Sequence, residues 1–178
     1  MESDDWARQS DPYLVPSDGR PGDAWSRESA QQGRQGTQRL LEVAQTVPPA
    51  RVAKALRIAD GTPAVVRRRL MLLDDEPAQL ADSWYPLGVA EGTALAEPRK
   101  IRGGAVTLLA ELGYTPDAVR EHWASRPATS EECLTLGLTA GAAVDELFRL
   151  LETADGVPYE VSFERWPVSI GSSTNAPS

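Results

Sequence analysis

Arg67 and Arg69 stand two apart in a β-prone run, Val65-Val66-Arg67-Arg68-Arg69-Leu70, and Glu160 stands in a second such run. Side chains on a strand alternate with period two, so Arg67 and Arg69 share one face while Val66, Leu70 and Leu72 take the other. Two guanidiniums on one face suit a carboxylate, a phosphate or a developing anion. A glutamate opposite them accepts hydrogen bonds from hydroxyls or moves a proton. The plain alternative is a solvated arginine face, but the hairpin partner strand adds Gln79 and Trp84. A third candidate is Asp23-Ala24-Trp25-Ser26, which opens a short helix stopped by Gly33. An acidic N-cap and unpaired first-turn N–H groups make either an anion site or an ordinary capped surface helix.

The remaining chemically able residues are few. Gly103-Gly104 precedes a helix from Ala105 to Leu112, ended by Gly113, yet two glycines fall short of a phosphate loop, and a flexible connection is expected. His122, the single histidine, sits beside Trp123 on an expected strand and is assigned to packing or the edge of a pocket. Cys133, the single cysteine, is assigned as buried filler. No nucleophile triad, metal-ligand cluster or cofactor pattern is visible, so no metal and no cofactor are expected.

The elements that must position these residues occur twice. With an offset of 80, Leu56, Ile58, Gly61, Arg69 and Leu70 fall on Leu136, Leu138, Gly141, Arg149 and Leu150. With an offset of 81, Pro77, Gln79, Tyr85 and Pro86 fall on Pro158, Glu160, Trp166 and Pro167. One extra residue at the second hairpin turn separates the two offsets. Each copy reads as a helix ended by a left-handed glycine (Gly61, Gly141), then a β-hairpin closed by an acidic turn. Upstream, Thr37–Val47 and Asp117–Arg126 read as strands. Each is followed by a proline and a helix, Ala50–Ile58 in the first copy and one capped by the Thr129/Glu132 box in the second. The unit is strand, helix, hairpin, and it predicts an α+β fold with pseudo-twofold symmetry.

Composition bounds the function. The 178 residues are 41% apolar with five tryptophans, enough for one buried core. Residues 1–22 carry few apolar side chains and are expected as an extended arm, tacked down by Trp6, Tyr13 and Leu14. Residues 23–168 form the domain and 169–178 a flexible tail. A net charge of -8 and an isoelectric point near 4.7 argue against binding a polyanion. One cysteine excludes an internal disulfide. No run reaches the roughly 18 apolar residues of a membrane span, so no membrane partner and a cytoplasmic location are expected.

The ordered set of Trp25-Ser26, the arginine-rich strand, Asp74-Asp75-Glu76-Pro77, Ser83-Trp84-Tyr85-Pro86, Gly113-Tyr114, Arg126-Pro-Ala-Thr129 and Asp155-Gly-x-Pro-x-Glu160 resembles the UTRA domain. That domain is the effector-binding half of HutC-subfamily GntR-type transcription regulators, with a chorismate lyase-like fold. The similarity spans about residues 22 to 167, with details nearest to actinobacterial members. It implies a six-stranded antiparallel sheet with flanking helices, a small-molecule pocket and a homodimer. It further implies a ligand site of Trp25, Ser26, Arg67, Arg69, Glu160 and Trp166, with Trp166 standing where a tyrosine is usual. The chain departs from the pattern after Trp166. The family's winged helix cannot be supplied by residues 1–22, which suggests a fragment of a regulator or a free-standing version of the domain.

Two function classes follow. As a sensor, the domain binds an anionic or polar metabolite and passes a change of shape to a DNA-binding partner. As an enzyme, a cofactor-independent lyase, isomerase or cyclase, it would use Glu160 and Arg69 as catalytic groups. Because the chain is acidic and shows no helix-turn-helix pattern, the isolated 178-residue chain is expected to bind no DNA sequence specifically. A gel-shift assay with competitor DNA checks this, and a band that survives competition counts against it.

Overall fold

Two β-hairpins placed back to back dictate the architecture. The computed structural model describes residues 15–16 and 23–168; the other residues of the expected arm, including Trp6, Tyr13 and Leu14, and the expected tail lie outside the described residues. The elements run α1 (Ala24–Gln31), β1 (Gly36–Thr46), α2 (Ala50–Leu56), β2 (Ala64–Leu73), β3 (Glu76–Pro86), α3 (Leu87–Ala90), a 3-10 turn (Ala94–Ala96), α4 (Ala105–Glu111), β4 (Ala118–Pro127), α5 (Ser130–Leu136), β5 (Ala143–Glu152) and β6 (Pro158–Pro167). The six strands form one antiparallel sheet in the order β1-β2-β3-β6-β5-β4.

The expected symmetry is present down to the register. In the first hairpin Arg69 faces Ala81 and the pairing slips between Met71 and Leu72; in the second Arg149 faces Ser162 and the pairing slips between Leu151 and Glu152. Those positions are related by the offsets of 80 and 81. The halves join where β3 pairs with β6, and Asp82 opposite Phe163 lies on the pseudo-twofold axis, since the offset of 81 converts one into the other.

The hairpin turns differ as the extra residue requires. Asp74 and Asp75 both have positive φ, 52° and 66°, the two-residue turn whose twist suits adjoining strands. The second turn places Gly156 at φ 71° and closes Thr153 N–H on Val157 O at 3.0 Å. The helix caps correct the expectation: α2 ends on Arg57 (φ 54°) and α5 on Gly137 (φ 68°), while Gly61 and Gly141 sit in the following turn. Each helix stops a turn early because the chain must reverse before entering the hairpin. Arg57 tolerates the left-handed conformation while its guanidinium bridges Glu152 and the Gly156 carbonyl of the other copy.

One face of the sheet carries α2 and α5. Val52 and Leu56 of α2 pack with Ala64, Val66, Trp84, Leu150 and Val161, and Leu136 of α5 packs with Leu70, Leu72, Leu80 and Val144. Trp84 thus lies on the face away from Arg67 and Arg69, because it pairs with Val66 in the register. The other face carries α1 and the segment between the repeats. There Val89, Ala90, Leu95, Ile101 and Leu109 close over Val65, Tyr85, Leu151 and Tyr159. Gly36 permits α1 to dock: a Cβ there would come 2.3 Å from Ser29 Oγ and 2.9 Å from Trp25 Nε1.

Ion pairs fasten α5. Arg126 on β4 grips Glu132 with two bonds of 2.7 and 2.8 Å and also holds Glu146, while Arg165 links Glu132 to Asp82. Glu132 completes the expected capping box with Thr129. The Arg126 hydrogen bonds hold the Glu132 carboxyl well below its ordinary range, at about 2. A depressed carboxyl stabilises the fold above its unfolded value and loses that contribution as pH falls toward the folded value. Glu132→Ala is expected to destabilise the domain by about 3 kcal/mol at pH 7, as removal of one partner of a buried pair does. Urea unfolding of both proteins from pH 7 to 2 checks this, with the gap between them narrowing below about pH 4.5.

Candidate ligand-binding site

A cavity of about 140 Å³ opens between the sheet floor, α1 and the segment joining the repeats. Its floor comes from alternate residues of four central strands: Arg67, Arg69 and Met71 on β2, Ser83 and Tyr85 on β3, Arg149 on β5, and Glu160, Ser162 and Glu164 on β6. Strand alternation aims all of them to one side. The walls are Trp25 and Arg27 of α1, Leu40 of β1, and residues 100–101 and 103–107.

Arg69 and Arg149 occupy equivalent positions and differ in their company. Arg149 is buried and donates to Glu121 and Glu164, each at 2.8 Å. Burial weighs against its charge, but these carboxylates outweigh it and raise its pKa. Arg69 donates to Ser83 Oγ at 2.9 Å, makes no ion pair among the described residues, and leaves its buried Nε without a hydrogen-bond partner. The register explains the difference. Where the second copy has Glu121 and Glu164, the first has Leu40 and Ser83.

Glu160 lies on the floor, 8% exposed. Burial pushes its pKa up, while Arg69, Arg149 and a hydrogen bond with Ser83 pull the other way and lose. Tyr85 beside it is also raised, by burial first and by the Glu160 charge second. The floor therefore offers a carboxyl shifted toward its neutral form and a guanidinium with an open donor.

Of the residues expected at the site, Trp25, Arg67, Arg69 and Glu160 line this cavity. Arg67 has most of its donors turned elsewhere, onto backbone carbonyls of the segment joining the repeats. Ser26 is not among the lining residues: its N–H donates to Asp23 Oδ1 at 3.0 Å and its hydroxyl to Asp23 O. The α1 N-terminus is thus occupied by the chain's own carboxylate, which repels a second anion there. Asp23 in turn accepts from Gln38 and lies 3.7 Å from Lys100 Nζ.

Trp166 shares the face of Glu160 but stands six residues along β6, about 20 Å away at strand rise. It packs edge-on against Trp123, ring centres 5.5 Å apart, outside the cavity. His122 is exposed on β4 rather than packed or at the pocket's edge, and Cys133 is half-buried, its thiol 3.6 Å from Thr139 O. Gly103 and Gly104, both left-handed (φ 77° and 85°), form part of the wall. No group of His, Cys, Asp and Glu able to hold a metal occurs among the described residues, and no helix among them is long and apolar enough to cross a membrane.

Residues 31–169 match the family model of the UTRA domain. The chain belongs to the UTRA domain family. No curated protein matches its sequence. Among solved structures, this UTRA domain resembles a putative GntR-family transcriptional regulator at TM-score 0.72 and 27% identity, covering 86% of this chain and 64% of that one. It also resembles the effector domain of PhnF from Mycobacterium smegmatis (TM-score 0.69, 16% identity, 80% and 87% covered). A third is a putative transcriptional regulator from Streptomyces coelicolor (0.65, 25%, 75% and 87%).

The UTRA floor contains residues that reasoning from sequence passed over: Arg149, Ser83, Tyr85, Ser162 and Glu164. Arg149 had a signal, since the offset of 80 makes it the counterpart of Arg69. Glu164 had one too, two residues from Glu160 on the same strand face.

A carboxyl raised in the folded state favours folding at low pH and loses that advantage as pH rises through its folded value. Glu160→Gln removes the ionisation. Its melting temperature relative to the parent is therefore expected to rise as pH goes from 4 to 8. Thermal unfolding across that range checks this, and a constant difference contradicts it.

Proposed function

We propose that this UTRA domain is the effector-binding part of a GntR-type, HutC-subfamily regulator and senses a small anionic or strongly polar metabolite in the central cavity. Family membership supports the regulatory role. The observation that carries the ligand class is Arg69, a buried-edge guanidinium without a carboxylate, with an unpartnered Nε, on the floor of the cavity. Its counterpart Arg149 is neutralised twice over, so the cavity is polarised. The first copy presents positive charge from Arg69, with Arg27 and Lys100 on the walls; the second presents Glu160, Ser162 and Glu164. A ligand bearing an anionic group at one end and hydroxyls or amines at the other satisfies both. Trp25 supplies an apolar wall, and Trp166 lies too far along β6 to join it. The cavity is smaller than the roughly 300–1,000 Å³ that drug-sized ligands fill, which fits a metabolite.

A thermal-shift screen of sugar phosphates, carboxylic acids and amino acids tests the class, with anionic members expected to raise the melting temperature. For the best of them, Arg69→Ala is expected to weaken binding by about 1.5–3 kcal/mol, the worth of a charge-assisted hydrogen bond. Calorimetry reads it, and equal affinity in the folded variant sinks the assignment.

The domain also acts as a homodimer in this proposal. Strand β4 is exposed along nearly its whole length at the sheet edge, with Val119 and Trp123 open to solvent. A long uncovered edge with apolar side chains is what partner strands pair with. Light scattering at micromolar concentration is expected to give twice the chain mass, and a monomer contradicts it.

A further inference from the structure

We infer that Arg67 is a positioning residue rather than a ligand contact: its guanidinium clamps the segment between the repeats and so sets the wall of the ligand cavity. Nη1 donates to Ala94 O, Leu95 O and Glu97 O at 3.2, 2.9 and 2.8 Å, and Nη2 to Arg99 O at 2.7 Å. Four carbonyls from six consecutive residues converge on one side chain that is 4% exposed. No carboxylate pairs with it among the described residues. Burial first, and Arg69 with it, push its pKa down against an opposing contribution from Tyr85, and the four carbonyl oxygens accept its N–H groups. Only a planar fork with several donors makes these contacts at once.

The repeat shows what the clamp is for. The position equivalent to Arg67 is Leu147, buried and apolar, since each faces the equivalent residue of its hairpin partner, Ser83 and Glu164. The segment at residues 87–116 follows the first copy, and the arginine stands in that copy. Beyond the clamped carbonyls the chain supplies Lys100, Ile101, Gly103, Gly104, Ala105 and Thr107 to the cavity wall. The 94–99 stretch has one short 3-10 turn and few hydrogen bonds of its own, with Glu97 N–H to Ala94 O at a long 3.3 Å. Without Arg67, the Leu95 and Arg99 carbonyls lose the donor that holds them, and the stretch keeps only its own turn bonds and the burial of Leu95.

The test uses the whole chain carrying Arg67→Leu, the residue the other copy has at this place, and Arg67→Lys, which keeps the charge but not the fork. Hydrogen–deuterium exchange in the 94–104 segment is expected to speed about tenfold in Arg67→Leu and by less in Arg67→Lys, with β3 and β6 protected as in the parent. Parental exchange in that segment in both folded variants overturns the clamp, and Arg67→Lys decides alone if Arg67→Leu does not fold. A second arm rests on the anion-sensing proposal and uses inorganic phosphate as the probe. If Arg67 acts through the wall, adding Lys100→Met to Arg67→Leu weakens phosphate binding no further, although Lys100→Met weakens it in the parent. Additive losses mean direct contact and overturn the inference. A parent that binds no phosphate counts against anion sensing, and the exchange result then decides the clamp by itself.

Discussion

The pairing of β3 with β6 is the contact on which everything else rests. Each strand-helix-hairpin unit alone would present a bare inner edge, with a row of N–H and C=O groups lacking partners. Joining the two inner edges removes both at once and makes a six-stranded floor wide enough to build on. The helices then reinforce the join by crossing it. Val52 and Leu56 of α2 reach Leu150 and Val161 of the second unit, and Leu136 of α5 reaches Leu70, Leu72 and Leu80 of the first. Neither unit has a complete core of its own.

Symmetry of the backbone leaves the chemistry free to diverge. On the face that holds the cavity, equivalent positions carry Arg69 and Arg149, Gln79 and Glu160, Ser83 and Glu164, Arg67 and Leu147. The opposite face, which packs against α2 and α5, keeps matched apolar pairs such as Leu70 and Leu150 but diverges too, with Arg68 against Phe148, Asp82 against Phe163 and Trp84 against Arg165.

Most of this fold was legible in the sequence because its signals are local and repeated. Hairpin turns, strand alternation, the Thr129–Glu132 box and the offsets gave the six strands and the flanking helices, with β1 and β4 displaced by a single residue. What was not legible depends on distant contacts. The four-residue α3 and the 3-10 turn have no helical periodicity; they are held by Arg67 and by the apolar cluster around Leu95. The site was half legible. Period-two reasoning put Arg67 and Arg69 on one face; Trp166 came from the family resemblance, which carries no distance, and it lies outside the cavity that Glu160 lines. The α1 N-terminus read as either an anion site or a capped helix end, and the Asp23 side chain, accepting from the Ser26 amide, makes it the second. Gly33 and Gly113 do follow the C-caps of α1 and α4, but Gly61 and Gly141 lie beyond theirs, since glycine marks a left-handed turn without saying which turn.

The slipped pairing near the tip of each hairpin bears on ancestry. The extra residue on the returning strand, Ala78 in one hairpin and Tyr159 in the other, turns over the facing of that strand between it and the turn, so it is hard to acquire twice at matching places, between Met71 and Leu72 and between Leu151 and Glu152. It was therefore already in the unit that was duplicated. A single such unit, with its inner edge uncovered, had to meet a second copy of itself about a true twofold axis. The line through Asp82 and Phe163 is the remnant of that axis, and fusion of the two genes released the halves from having to be identical.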